Sequence, residues 1–253
     1  MLNDVLLVGG AGYVGTVLSE FLIKKNINVL CIDNFLYGHS FSIRKLEANK
    51  KFKFYQLDFS NTKEISKLLK KYKNIIFLAS VVGDPITKKY PVISKKINED
   101  FTIKFINLCI SNKIEKFIFI STCSNYGMIP DSVEADENYK LDPISLYAKS
   151  KVKIEKYLLE IKKNNTFQPT ILRFATAFGL SPRMRFDLTI SEFTKTLYNK
   201  KKLLIYDENT WRPYCHLLDF SNLIFTVLQK NNEIVGYEVF NAGSDNNNYT
   251  KKM

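Results

Sequence analysis

Val5-Leu6-Leu7-Val8-Gly9-Gly10-Ala11-Gly12-Tyr13-Val14-Gly15 is the stretch on which the fold of this 253-residue chain turns. Four apolar residues in a row fit a strand covered on both faces. Glycines follow at positions 9, 12 and 15, and Val17, Leu18, Phe21 and Leu22 then recur at helical spacing. Gly9 permits a tight turn, Gly12 lets the backbone approach a pyrophosphate, and Gly15 lets the helix pack close to the strand, so an anion would sit at the helix N-terminus. A glycine triplet alone fits any strand-to-helix turn. The strand-to-helix context, and Asp33 closing the next apolar run Val29-Leu30-Cys31-Ile32, point to dinucleotide binding.

From this turn onward candidate strands and helices alternate, which predicts an α/β fold of the Rossmann type, a doubly wound parallel sheet covered on both faces. The strands are expected at 5–8, 29–32, 52–56, 75–78, 117–120 and 170–172. One helix is expected from about Ser94, with Ile97, Phe101, Phe105 and Leu108 on one face, and another over 145–163 with Ile154, Leu158 and Ile161. The spare apolar faces of the helices at 94–111 and 145–163 suggest a homodimer surface. Residues 1–173 are read as the nucleotide-binding domain with its catalytic helix. After Arg173 the rhythm turns irregular, and 174–253 is read as a small substrate-binding lobe, interleaved with the main domain and incomplete at its C-terminal end.

A hydrophobic content of 45% allows a large core, and no apolar run approaches a bilayer span. The N-terminus runs straight into a strand with no cleavable leader, so a cytoplasmic protein is expected. Cys31, Cys109, Cys123 and Cys215 lack paired spacing, which suits free thiols, and two histidines leave a metal centre little to work with. The net charge of +12 comes from short, scattered lysine groups such as Lys24-Lys25 and Lys70-Lys71. No basic stripe forms, so nucleic acid is disfavoured and phosphate-bearing ligands are favoured.

A second signal lies further on, in Ser121-Thr122 just past a strand and Tyr147-Ala148-Lys149-Ser150-Lys151 opening a helix. Tyr147 and Lys151 are four apart and share one helical face. A nearby ammonium stabilises a phenolate, so Lys151 would pull the Tyr147 pKa toward the working pH, while Thr122 could orient a substrate hydroxyl. A Tyr and a Lys at this spacing also occur by chance on amphipathic helices, so the order of the whole set matters.

That set, Gly9 to Gly15, Asp33-Asn34, Asp58-Phe59, Leu78-Ala79-Ser80, Asn98, Ser121-Thr122 with Tyr126-Gly127, Tyr147 to Lys151, Arg173, and Arg212-Pro213 ahead of His216, resembles the extended short-chain dehydrogenase/reductase family of NAD-dependent sugar-nucleotide epimerases and dehydratases. The resemblance covers nearly the whole chain. It implies NAD as cofactor, held by Gly9, Gly12, Tyr13, Val14 and Gly15, by Asp33 and Asn34 at the adenosine ribose, and by Asp58 and Phe59 beside the adenine. Leu78, Ala79, Ser80 and Val82 would line its far side, with Asn98, Ser121, Tyr147, Lys151 and Phe174 completing the set. It further implies Thr122, Tyr147 and Lys151 as the catalytic trio. Arg212 would grip the substrate's diphosphate, and Arg183 and Arg185 would be substrate neighbours. His216 reads as structural, because Leu217-Leu218-Asp219 looks like a helix entry.

Two departures from the family pattern bear on the reaction. Members that eliminate water carry Asp-Glu directly after the catalytic threonine, and Cys123-Ser124 stands there instead, which disfavours a dehydratase. Thr176 replaces the asparagine that many relatives place near the substrate phosphate. The expected reaction is therefore NAD-dependent oxidation at C4 of a nucleotide-diphosphate sugar to a 4-keto sugar. The segments Val82-Gly83-Asp84-Pro85 and Ser181 to Asp187 lean toward the GDP-heptose 4-dehydrogenases of surface-polysaccharide pathways. The alternative is a 4-epimerase that returns the hydride. A dinucleotide-binding sensor without chemistry is disfavoured by the presence of both Tyr147 and Lys151.

Overall fold

The first strand sorts its side chains by parity: Val5 and Leu7 enter one apolar cluster and Leu6 and Val8 the other, each at 1% exposure or less. The structure, a computed structural model, describes residues 4–130, 133–161 and 166–253. Its strands are β1 (Asp4–Val8), β2 (Asn28–Asp33), β3 (Phe52–Gln56), β4 (Asn74–Phe77), β5 (Lys116–Thr122), β6 (Gln168–Phe174), β7 (Thr176–Phe178), β8 (Trp211–His216), β9 (Val239–Ala242) and β10 (Asn248–Thr250). Its α-helices are α1 (Tyr13–Lys24), α2 (Arg44–Glu47), α3 (Thr62–Leu69), α4 (Asp84–Lys89), α5 (Pro91–Lys95), α6 (Thr102–Ser111), α7 (Leu146–Glu160), α8 (Thr189–Tyr198), α9 (Leu217–Gln229) and α10 (Asn232–Val235).

Seven strands form one sheet in the order β3-β2-β1-β4-β5-β6-β9, and every pairing in it is parallel. The strands expected from the sequence are β1 to β6, each within two residues of its expected bounds. This is the doubly wound arrangement. The order reverses between β1 and β4, where an α/β sheet opens a crevice at its carboxyl edge. One face packs against α1 and α9 through Leu18, Leu22, Phe220 and Ile224, and the other against α3, α6 and α7 through Ile65, Phe105, Ile154 and Leu158. The buried ammonium of Lys116, at the start of β5, donates to the carbonyls of Val227, Leu228 and Lys230, so it caps the C-terminus of α9.

The sequence expectation for 94–111 needs correction. The helical segment starts at Pro91, and between α5 and α6 residues Lys96–Phe101 form a π-helical turn in which the Thr102 hydroxyl donates to the Ile97 carbonyl at 3.0 Å. The helix expected over 145–163 begins at Leu146, with the Ser145 hydroxyl accepting from the Ala148 N–H, and ends at Glu160; Lys162 and Lys163 lie outside the described residues. Between the outer faces of α6 and α7, the expected dimer surface, is a shallow groove of about 430 Å³ lined by Ile103, Val152, Tyr157 and four charged residues.

The stretch 174–253, expected as a substrate-binding lobe interleaved with the main domain, is shared between two sheets. Its β9 completes the large sheet and its α9 covers one face of it, while β7, β8 and β10 form a second sheet in the order β10-β8-β7. Residue 173, the expected boundary, falls inside β6. No helix among the described residues is long and apolar enough to cross a membrane.

A buried polar knot joins these parts. Glu155 on α7, 1% exposed, accepts from Arg173 Nη2 at 2.8 Å, Ser121 Oγ at 2.5 Å and Asn125 Nδ2 at 2.7 Å. Arg173 also donates to Tyr126 Oη at 2.9 Å and to the Glu137 carbonyl at 3.0 Å, and Tyr126 donates to Asn241 on β9 at 2.6 Å. Removing one partner of a buried pair strands the other. Glu155→Gln is therefore expected to lower the unfolding free energy by about 3–5 kcal/mol. Lys153→Ala, which removes the half-exposed pair with Glu99, is expected to cost about 1 kcal/mol or less. Urea unfolding at neutral pH measures both, and equal losses would contradict the assignment.

Candidate active site

Gly9 has φ +78°, and a Cβ there would come within 2.6 Å of the Ala79 backbone; a Cβ on Gly15 would meet the Gly10 carbonyl at 2.5 Å. Both glycines are thus demanded by the chain's own packing. Gly12 differs, because a Cβ there would find only the Gly9 carbonyl, at 3.5 Å. What its missing side chain leaves open is the cradle itself. Gly12 caps α1, whose first turn carries no acidic residue and no side-chain cap. Unpaired amides at an uncapped helix N-terminus suit an anionic diphosphate.

A cavity of about 350 Å³ runs along the carboxyl ends of the first strands. Of the expected cofactor residues, Gly9, Gly12, Asp33, Asn34, Asp58, Phe59, Leu78, Ala79, Ser80 and Val82 line it. The Asp33 carboxylate accepts from the Ala11 N–H at 3.1 Å and the Phe35 N–H at 2.9 Å, which fixes it at the mouth of β2. Asn34 donates to Asp58 at 2.7 Å. Burial pushes the Asp58 carboxyl up, but hydrogen bonds from Ser60 and Asn34 outweigh it and hold the pKa below the ordinary value. A carboxylate at the ribose position, an open glycine turn and apolar walls are a donor set that fits NAD.

The remaining expected cofactor residues lie elsewhere. Val14 packs against the core, and Phe174 stacks on Phe220 with ring centroids 3.7 Å apart. The Tyr13 hydroxyl donates to the Gly179 carbonyl at 2.7 Å, tying α1 to the segment after β7. Asn98 accepts from Ser80 Oγ and the Val81 N–H and donates to the Val81 carbonyl, so it shapes the wall without lining it. The Ser121 hydroxyl turns inward to Glu155. Among the cavity residues not anticipated are Leu36, Tyr37 and His39. Their position directly after the Asp33-Asn34 pair was the available signal.

Thr122 ends β5 and accepts from the Ser124 N–H at 3.2 Å, capping the short 3-10 helix Cys123–Tyr126. Lys151, 4% exposed, donates to the Ile120 carbonyl at 2.7 Å, and its ammonium lies 4.6 Å from the centre of the Phe119 ring and 5.6 Å from that of Tyr147. α7 therefore brings Tyr147 and Lys151 against the end of β5, beside Thr122. Burial pushes the Tyr147 phenol well above its ordinary value; Arg185 draws it down, and Cys123 and Asp84 push it further up. Burial lowers the Lys151 ammonium to about 7, with Glu155 acting the other way. Neither group titrates where it would in water, and the expectation that Lys151 draws the Tyr147 phenol toward the working pH is not met in this structure: burial outweighs the nearby charges, and the cation that draws the phenol down is Arg185.

Arg212, on the exposed part of β8, does not line the cavity but lies within electrostatic reach of Cys123. Arg183 and Arg185 both line the cavity that also holds Gly12 and Asp33. Arg185 pairs with Asp187 through bonds of 2.8 and 2.5 Å and is close enough to Tyr147 to influence it. His216 accepts from the Leu218 N–H at 3.2 Å through Nδ1 and caps α9, as its neighbours suggested.

The family described as NAD dependent epimerase/dehydratase matches residues 5–243. A UDP-glucuronate 4-epimerase of Thermodesulfobacterium geofontis (strain OPF15) is 27% identical, over 96% of this chain and 75% of that protein. The "Uncharacterized UDP-glucose epimerase YtcB" of Bacillus subtilis (strain 168) is 30% identical, over 89% of this chain and 72% of that one. Among solved structures, UDP-glucuronic acid 4-epimerase from Bacillus cereus in complex with UDP-glucuronic acid and NAD superposes with a TM-score of 0.87 at 29% identity, over 96% of this chain and 78% of that chain.

The Lys151 pKa carries a testable sign. A lysine of ordinary pKa 10.5 that titrates at about 7 when folded leaves the unfolded chain holding more protons between those values, so its contribution to stability rises with pH across that window and is lost as pH falls to about 7. The stability of Lys151→Met relative to the native protein is therefore expected to be most favourable at about pH 6.5 and to decline toward about pH 9.5. Urea unfolding at both values checks it, and a difference independent of pH would contradict the buried ammonium.

Proposed function

The chain belongs to the NAD dependent epimerase/dehydratase family, and from that premise we propose that it is an enzyme that inverts C4 of a nucleoside diphosphate sugar, with a UDP-hexose or UDP-hexuronate as substrate. Its cofactor is NAD, which supplies the hydride acceptor and donor when bound. The observation that carries the reading is the Thr122, Tyr147 and Lys151 group at the end of β5, next to a groove with the features of a dinucleotide site.

In this reading Tyr147, as phenolate, takes the proton of the C4 hydroxyl while the C4 hydrogen leaves as hydride, and gives the proton back when the hydride returns to the opposite face of the ketone. Lys151 offsets the phenolate charge. Thr122 orients the C4 oxygen. Arg185 stands where the sugar meets Tyr147, and Arg212 serves the substrate diphosphate. Cys123 and Ser124 hold no charged acid–base pair, and burial raises the Cys123 thiol further, so water elimination across C5 and C6 has no agent there. A homodimer through the outer faces of α6 and α7 belongs to the same proposal.

The epimerase reading is preferred to the GDP-heptose 4-dehydrogenase expected from the sequence, because the relatives named above are UDP-sugar epimerases and one is bound to UDP-glucuronic acid and NAD. The test is incubation of the NAD-loaded protein with UDP-glucuronate, UDP-glucose and GDP-sugars, with products resolved by mass and NMR. A C4 epimer of unchanged mass is expected, without net NADH. Tyr147→Phe is expected to bind NAD normally and to lower turnover by about a hundredfold or more. Accumulation of a 4-keto product with NADH would restore the dehydrogenase, and a product lighter by one water would overturn both.

A further inference from the structure

Two arginines two positions apart in one segment meet different surroundings. Arg185 is bound to Asp187 and faces Tyr147. Arg183 has neither an ion pair nor a side-chain hydrogen bond among the described residues; its guanidinium carbon lies 5.1 Å from the centre of the Tyr37 ring, in the loop just past Asp33. Both Tyr37 and Arg183 line the cavity with Gly9, Gly12 and Asp33.

We propose that Arg183 binds the cofactor rather than the sugar nucleotide, closing its guanidinium on the diphosphate of the dinucleotide from the 179–187 side of the groove. Asp187, the carboxylate within electrostatic reach of Arg183, is already bonded to Arg185. A guanidinium with no bonded partner of its own, in a groove whose floor is an open glycine turn and a free helix N-terminus, is placed for phosphate oxygens, and its planar fork can meet two of them at once. Its segment is fastened to that same helix turn. Tyr13 donates to the Gly179 carbonyl at 2.7 Å, Ser181 Oγ donates to the Tyr13 carbonyl at 2.8 Å, and Thr16 and Ser181 hydroxyls meet at 3.0 Å. The Ser181 hydroxyl also accepts from the Arg183 N–H at 3.2 Å. The backbone that carries Arg183 is thus tied to the first turn of α1, where the diphosphate would rest, and the Tyr37 ring holds the guanidinium over the groove. A cofactor clasped this way exchanges slowly, which suits an enzyme that recovers its own oxidant in each turnover.

The inference rests on the NAD-dependent reading, so its test separates the two. NAD affinity and dissociation rate are measured by titration and chase for the native protein, Arg183→Ala and Arg183→Lys, alongside NADP affinity and the KM for the sugar nucleotide at saturating NAD. Arg183 is half-buried, so its truncation leaves no core cavity. Arg183→Ala is expected to weaken NAD by about tenfold or more and to speed its release, Arg183→Lys to do so less, and the sugar-nucleotide KM to stay within about twofold. NAD affinity unchanged in Arg183→Ala overturns the proposal, as does a rise in the sugar-nucleotide KM in its place. A loss confined to NADP also overturns it, since the arginine would then read a 2′-phosphate. Failure of the native protein to bind NAD at all sinks the functional reading itself, and this proposal with it.

Discussion

The ion pair of Glu155 and Arg173 is the interaction on which the rest of the site depends. It is buried on both sides, at 1% and 4% side-chain exposure, where a lone charge would be expelled or neutralised. The pair persists because its remaining hydrogen-bonding capacity is filled: Ser121 and Asn125 donate to the carboxylate, while the Glu137 carbonyl and the Tyr126 hydroxyl accept from the guanidinium. One helical turn before Glu155 stands Lys151, and one turn before that Tyr147, so α7 carries a phenol, an ammonium and a carboxylate along one face. Glu155 opposes the burial that lowers the Lys151 pKa. The structural knot and the proposed catalytic group therefore share one electrostatic column.

The groove proposed for the cofactor is shared between stretches distant in sequence. Its floor comes from the carboxyl ends of β1, β2 and β4, as a doubly wound sheet dictates, and its outer wall from Arg183, Arg185 and Asp187. The second sheet makes this possible. β6 leads directly into β7, and the chain then returns to α1 through the Tyr13 and Ser181 hydrogen bonds. Arg183 and Arg185, expected beside the sugar, thus border the groove that holds Gly12 and Asp33.

Legibility in the sequence followed burial. Strands β1, β2, β4, β5 and β6 are buried along most of their length and show as apolar runs, while the edge strand β3, buried only at Phe52, shows in the alternation Phe52-Lys53-Phe54. β7 and β10 are three residues each, and β8 is longer but polar at Arg212 and His216 and open to solvent at Trp211 and Arg212, so none leaves such a run. The π-helical turn at Lys96–Phe101 was invisible because a local change of winding leaves composition and spacing almost untouched. Thr122 and Ser121 illustrate the limit for side chains. A motif names both, yet neighbours in a strand point to opposite faces, and Ser121 goes to Glu155. Glu155 itself was within reach, at the next helical repeat after Tyr147 and Lys151. Leu36, Tyr37 and His39 needed the loop geometry after Asp33.

The fate of the C4 hydrogen tests the proposed chemistry most directly. A UDP-sugar deuterated at C4 is incubated with the NAD-loaded protein in ordinary water and the product examined by NMR and mass spectrometry. A hydride that leaves and returns within one site predicts a product of inverted configuration that keeps its deuterium at C4, with none in released NADH. Deuterium recovered on the dinucleotide beside a 4-keto sugar, or lost to water, would contradict the return step.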